Sequence, residues 1–485
     1  MQSFTFPFQL PSVGSRKRRS RRLEMDWEGG DLSSEGGIQL LSAADQKLKL
    51  TEHLAAATKD RREQGRVRHS HLALFRQRIY QICLGYSDAN DANTLRNDPL
   101  FKETIGWGPD REPLATQSTI SRWENAARKV DIRGLRDAQM DCFLDRVRSS
   151  AREIIIDIDP FDDPCHGAQQ GSLFNDYYKV RCYLPLQVVA SIDGGRQWVV
   201  GAVLRPGNAG AARLAIPYLR ELVDEIRKRA PEARIIIRGD SAYGNDRMIR
   251  ACESMHAQYC FALIPNAVLL RLAGAARGAA ASAEALRIRR PKDARREARC
   301  TSYRDFQYAA GTWRCLNRVV VRCEAGKPAR FYVTDLPSHS EVKQLQTGKP
   351  QEAGEGRESE KPWSAHEVFR FYCARGDREN RIREFKCDLD AGRLSCHGYR
   401  ANEFRLAMMV AAYALLQEIQ EQLARISAVK RLANLQVSTV RSMLLKVAVL
   451  VRWSRRRVRL SFASHYPLKD VWMRVLAGLL PAPAT

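Results

Sequence analysis

Apolar residues recur along this chain with two different periods, and the places where the period changes divide it. Residues 43–105 carry Leu48, Leu50, Leu54 and Ala55, then Leu72, Leu74, Ile79, Ile82 and Leu84, in amphipathic patterns that predict helices. At 152–159 the pattern becomes β-branched, with three successive isoleucines, then Asp157, Ile158 and Asp159 before Pro160. A short apolar run of this kind predicts a buried strand with carboxylates at its end. Residues 183–190 and 197–204 predict two more strands, joined by a tight turn at Asp193, Gly194 and Gly195. A helix is predicted over 210–230, a strand ending in Asp240 over 234–240, a helix over 245–256 and a strand over 258–263.

The pattern then breaks. An Ala/Gly/Arg-rich stretch at 271–299 precedes predicted strands at 301–308, 317–323 and 330–334, and a polar Gly/Glu/Lys-rich linker runs over about 338–362. Helical spacing returns over 364–388, 402–422 and 437–453, followed by a strand at 457–462 in which apolar residues alternate with Arg and Ser. Five regions follow: a basic, loosely ordered arm at 1–40, a helical region at 41–150, core segments at 151–264 and 364–485, and a β-rich insertion at 265–363. Three strands, helix, strand, helix, strand is an α/β order in which an antiparallel meander is continued by parallel strands. That is the ribonuclease H-like arrangement, here with an insertion before its last helices and with C-terminal helices after it.

Charge adds a partner. The 485 residues carry 79 Lys and Arg against 55 Asp and Glu, a net charge of +24, which predicts a polyanion, nucleic acid above all. The basic run at 15–22 suits either a phosphate-gripping arm or a solvated tail. None of the twelve cysteines forms a C-x-x-C pair, which argues against a zinc ribbon and for a reducing compartment. The longest apolar run, at 406–416, is too short to span a bilayer, and the N-terminal stretch lacks a signal-peptide pattern. A cytoplasmic protein with no membrane partner is expected.

The chemistry converges on three acids. If the first and fourth strands are neighbours, Asp159 and Asp240 meet at their carboxyl ends; Asp157, on the same side of its strand, is the alternative for the first acid. The third is Glu379. With Tyr372, Arg375 and Lys386 it falls within roughly 60° on one helical face. Converging carboxylates need a counter-charge. Hard oxygen donors with open positions select Mg²⁺ or Mn²⁺, and two such ions serve in-line attack on a phosphodiester. Arg375 as a fork, Lys386 as a point charge and Tyr372 suit DNA phosphates. The short helix starting at Gln117 carries Ser118, Ser121 and Arg122, like the recognition helix of a helix-turn-helix.

The spacing of Tyr372, Arg375, Glu379 and Lys386 matches the Tyr-Arg-Glu-Lys signature of bacterial insertion-sequence DDE transposases. Over residues 25–475 the chain resembles the insertion-sequence family numbered thirteen-eighty. The segments at 85–99, 157–159 with His166 and Gly167, 238–244, and 395–413 with Asn402 and Arg405 carry the likeness. The resemblance implies the catalytic and metal-binding triad Asp159, Asp240 and Glu379, a ribonuclease H-like core with a β-rich insertion, and Trp313 in that insertion as a base-stacking residue. It further implies binding of terminal inverted repeats, cleavage at the element's ends, joining of the 3′-OH ends to target DNA, an active complex of at least two copies, and action at the bacterial nucleoid. Where such transposases commonly have Thr two residues after the first acid, this chain has Phe161. The rival readings are a ribonuclease H-like DNA nuclease without strand transfer and a non-catalytic DNA-binding protein derived from a transposase.

Overall fold

In the strand Glu153–Pro160 (β1) the side chains alternate between the two faces of a sheet, and both faces are covered. Ile154, Ile156 and Ile158 enter one apolar cluster, while Asp157 and Asp159 point to the opposite face. This is the first strand of an eight-stranded sheet in the computed structural model, which describes residues 4–6, 23–210, 212, 214–289, 300–338, 362–426, 432 and 435–480. The side chains of 4–6, 23, 24, 287–289 and 376–379 lie outside that description, as do the basic run at 15–22 and most of the expected linker.

The remaining strands are Leu186–Ile192 (β2), Trp198–Val203 (β3), Arg234–Gly239 (β4), Gln258–Leu263 (β5), Thr301–Tyr308 (β6), Asn317–Glu324 (β7) and Arg330–Thr334 (β8). They lie in the order β6-β7-β8-β5-β4-β1-β2-β3. β1, β2 and β3 form an antiparallel meander. β4 runs parallel beside β1, with Arg238 opposite Asp157, and β5 runs parallel beside β4. The three strands of the expected insertion continue the same sheet, β8 pairing antiparallel with β5. The edge that β5 would otherwise expose is thereby paired.

Helices Lys129–Leu144 (α1), Ala215–Arg229 (α2) and Asp246–Ser254 (α3) supply the cluster on the isoleucine face. On the other face Ile236, Cys260, Val320 and Tyr332 pack with Val368, Phe369, Phe371 and Tyr372 of helix Ala365–Cys373 (α4). Ser364 caps α4 in a reciprocal arrangement with Glu367. The Ala-rich stretch after β5 is helical over Ala267–Leu272 and Gly274–Arg289 rather than irregular, as its helix propensity favours.

Two predicted helices are interrupted. The helix expected over 364–388 consists of α4, helix Gly376–Arg383 (α5) and a π-helical turn at Glu384–Asp388, with residues 374 and 375 between the first two. The one expected over 437–453 is helical only at Val437–Val440 and in a π-turn at Arg441–Leu445. Its β-branched end becomes the strand Val449–Ser454, because pairing with Arg457–Phe462 and Leu32–Ser33 buries Val449 and Val451.

The chain divides into two compact units. One comprises Leu48–Val67 and Ser121–Glu418 and holds the large sheet; the other comprises Met1–Lys47, Arg68–Ile120 and Ile419–Thr485. Within the second, the buried Tyr80 hydroxyl donates to Asp45 at 2.8 Å. There Arg441 Nε donates to the Cys83 carbonyl at 2.9 Å beside Gly85, whose φ of +91° leaves no room for a Cβ against the arginine. Among the described residues no helix is long and apolar enough to cross a membrane.

Two charges are fully enclosed where β1 meets β4. Arg238 Nε and Nη2 donate to the two carboxylate oxygens of Asp157 at 2.9 and 2.8 Å, and its Nη1 donates to the Phe371 carbonyl at 2.6 Å. Removing one partner of such a pair strands the other charge in the interior. Arg238→Met is therefore expected to lower the unfolding free energy by about 3–5 kcal/mol, measured by denaturant titration. Adding Asp157→Leu should restore much of that loss, because no orphan charge remains.

Candidate active site

The register of β1 and β4 builds the site. Their ladder ends with Arg238 opposite Asp157, and two residues further along each strand stand Asp159 and Asp240. Side chains two apart share a face. Asp159 therefore belongs to the α4 face, and Asp240 stands immediately beyond the carboxyl end of the neighbouring parallel strand. Asp157 is wholly buried and committed to Arg238 and to the Gln197 amide, which donates at 2.9 Å. Asp159 reaches the partly open end of the strand, where Arg375 Nη2 donates to it at 2.9 Å. Of the two candidates for the first acid, Asp159 is the one that Arg375 contacts.

Arg375 is oriented from both sides. Its Nη1 donates to the Tyr372 hydroxyl at 2.5 Å while Nη2 holds Asp159. Tyr372 in turn lies against Tyr332, ring centroids 4.5 Å apart, and burial pushes its hydroxyl up to about 12. Asp240 accepts from the Ala242 backbone N–H at 2.9 Å. Burial raises its carboxyl above the ordinary range, opposed by that hydrogen bond and by the charges of Arg375 and Arg205.

Glu379 lies on α5, which follows directly from α4; its side chain lies outside the described residues. The helix is fixed from behind. Arg381 Nη1 and the Tyr413 hydroxyl both donate to buried Glu384, at 2.7 and 2.6 Å. Tyr413 belongs to the long helix Tyr399–Ile426. Phe161, in the place of the expected Thr, is buried edge-on to Phe385, which lies beside Tyr413. Lys386, expected at phosphate, here pairs with Asp162.

The donor set fits a hard divalent cation. Asp159 brings carboxylate oxygens from β1 and Asp240 from just beyond β4, and desolvation of half-buried Asp240 raises its carboxyl. Gln187, directly across the ladder from Asp159 on β2, is buried with neither amide atom hydrogen-bonded. Oxygen donors of this kind suit Mg²⁺ or Mn²⁺. Among the described residues no group of three or more His, Cys, Asp or Glu is gathered closely enough to hold a metal.

The other predicted site residues lie elsewhere. Trp313 is half-buried between β6 and β7, edge-on to Tyr308 with centroids 5.5 Å apart. In helix Gln117–Asn125, Ser118 and Arg122 are exposed, Ser121 is half-buried, and Trp123 and Glu124 turn inward to Phe404 and Arg405. The preceding helix ends at Thr104, so the connection is longer than the three or four residues of a helix-turn-helix. Sequence reading missed Arg238, Gln187, Glu384 and Tyr413. The available signal was a polar or charged residue inside an apolar run, which must find a partner or a ligand.

Carboxylates at the ends of adjacent parallel strands, beside an oriented arginine, mark the candidate site of this α/β fold. The match to known families is more specific. The chain belongs to the transposase DDE domain group 1 family, whose model it matches over residues 15–484. No curated protein matches it significantly.

One acid near this site has no role in it. Asp163 is fully buried, with one oxygen accepting from the Leu394 N–H at 3.3 Å and the other without a partner. Burial pushes its carboxyl up to about 7, the Leu394 hydrogen bond, Lys386 and Arg405 opposing and Asp162 adding. The folded chain thus favours the protonated form. Its contribution to stability is complete below the unfolded value of about 4 and is lost as pH rises through about 7. Asp163→Asn cannot ionise, so its stability relative to wild type should climb between pH 4 and 7 and then level. Chemical denaturation at a series of pH values measures this.

Proposed function

We propose that this transposase binds the terminal inverted repeats of an insertion sequence, cleaves phosphodiesters at the element's ends and joins the freed 3′-OH ends to target DNA. The observation that supports the reading is that Asp159 on β1 and Asp240, just past the end of β4, each stand two residues beyond the last paired residues of neighbouring parallel strands, with α4 packed on that side of the sheet. The strand order supports a ribonuclease H-like core: an antiparallel meander β3-β2-β1 continued by parallel β4 and β5.

In this reading Asp159, Asp240 and Glu379 hold the divalent cations. Two such ions, when bound, supply Lewis acidity at both the attacking and the leaving oxygen of an in-line displacement. The chain's own groups do the rest. The carboxylates fix where the reacting phosphate sits, because their strands are locked by Arg238. Arg375, held between Tyr372 and Asp159, presents a rigid fork for phosphate oxygens. Lys386 adds a point charge further along the same segment. Trp313 would have to leave Tyr308 to stack on a displaced base. Ser118, Ser121 and Arg122 are offered to DNA by the helical region, and the net charge of +24 favours the polyanion at every stage. Holding two element ends calls for at least a dimer, and the expected workplace is the bacterial nucleoid.

The test uses duplexes carrying the element's ends in Mg²⁺. Asp159→Asn, Asp240→Asn and Glu379→Gln should each lower cleavage by about a thousandfold or more, since each removes a ligand from a centre worth several kcal/mol. Equal cleavage by wild type and Asp240→Asn would sink the assignment. A strand-transfer assay separates a transposase from a nuclease: only the former yields joined product.

A further inference from the structure

In the second unit, the strands Val449–Ser454 and Arg457–Phe462 form a hairpin whose two faces differ in kind. The register sets Arg452 directly opposite Arg459, and Ser454 opposite Arg457. These side chains share one face, while Val451, Trp453, Val458 and Leu460 occupy the other. Arg455 and Arg456 make the turn. All five arginines are exposed, and among the described residues none of them makes an ion pair. Two like charges directly across a ladder repel one another, and nothing within the hairpin offsets that repulsion. An ordinary solvated face mixes both signs.

The hairpin is also shaped for a groove. The third strand, Leu32–Ser33, pairs only with Val449 and Leu450, and the Val451 N–H donates to the backbone carbonyl of Asp31 at 2.9 Å. From Arg452 to Arg459 the ribbon is two strands wide. Its base is anchored by buried Val449 and Val451 and by Phe462 against Trp472, ring centroids 4.9 Å apart. A two-stranded β-ribbon fits the B-DNA major groove, about 12 Å wide, whereas the deep, narrow major groove of A-form RNA excludes it. The face opposite the arginines is half-buried against the protein, so it offers no apolar surface to a lipid bilayer.

We propose that this arginine ribbon is a DNA-binding element in its own right, entering the major groove with Arg452, Arg457 and Arg459 toward the duplex and Arg455 and Arg456 at the phosphates. The proposal rests on the reading that the chain acts on DNA, and its test needs no cleavage. Arg455→Gln/Arg456→Gln/Arg457→Gln in the full chain leaves every buried residue in place, and an unchanged melting transition confirms the fold. Its affinity for a random-sequence DNA duplex, followed against salt, should fall at least tenfold. Its log–log salt slope should be shallower by about 0.9 for each phosphate that is no longer neutralised. Unchanged affinity and slope overturn the ribbon while leaving the transposase reading intact. An equal loss on double-stranded RNA, or a loss seen only with phosphatidylserine vesicles, also overturns it. Failure of the Asp240→Asn cleavage test, by contrast, sinks the catalytic reading without touching the salt slope.

Discussion

The buried contact between Asp157 and Arg238 is the constraint on which the site depends. It lies between adjacent parallel strands, two residues short of the point where each strand ends in an acid. Apolar residues of similar volume would fill the space, and often with equal or better stability. They would not do what this guanidinium does. Two of its nitrogens fix Asp157 on β1, and a third holds the Phe371 carbonyl on α4. One side chain thus sets two strands and the helix leading to Glu379 in a common register. Any slip of β1 against β4 would separate the pair, so the relative placement of Asp159 and Asp240 is coupled to it.

A second set of contacts works from the opposite side. The interruption at residues 374 and 375 lets α5 take its own course after α4, and Arg375 at the junction turns to Asp159. The π-turn then places Glu384 beneath Arg381 and Tyr413. Phe161, Phe385 and Tyr413 form a run of rings from the tip of β1 to the long helix. Phe161, where the resemblance implies Thr, is here part of an apolar joint. It couples the strand of the first acid to the segment of the last through packing rather than hydrogen bonding.

Much of this order was legible in the sequence, because period and composition report burial. The isoleucine runs marked β1 and β4, and the acids ending them were visible as candidates. Register was not legible: nothing local says that Arg238 lies opposite Asp157, 81 residues away. For the same reason sequence did not show that Asp157 is taken up by Arg238 while Asp159 meets Arg375. Continuity of the 364–388 helix was overread, since helical spacing of charges does not report a junction such as 374–375. The helix expected over 437–453 failed for a different reason. Its apolar end satisfies either period, and only the strands beside it, one of them far upstream, select the ladder.

Burial raises Asp240, and Arg375 and Arg205 offset that only in part. Arg375 divides its fork, Nη2 donating to Asp159 and Nη1 to the Tyr372 hydroxyl. Asp157, by contrast, receives the full fork of Arg238. The same residue pair, Asp with Arg, therefore appears twice on one strand with opposite consequences. Where the fork is complete and the surroundings dry, the carboxylate is committed to holding the sheet together. Where the fork is shared with the Tyr372 hydroxyl, at the partly open strand end, the carboxylate stays within reach of solvent.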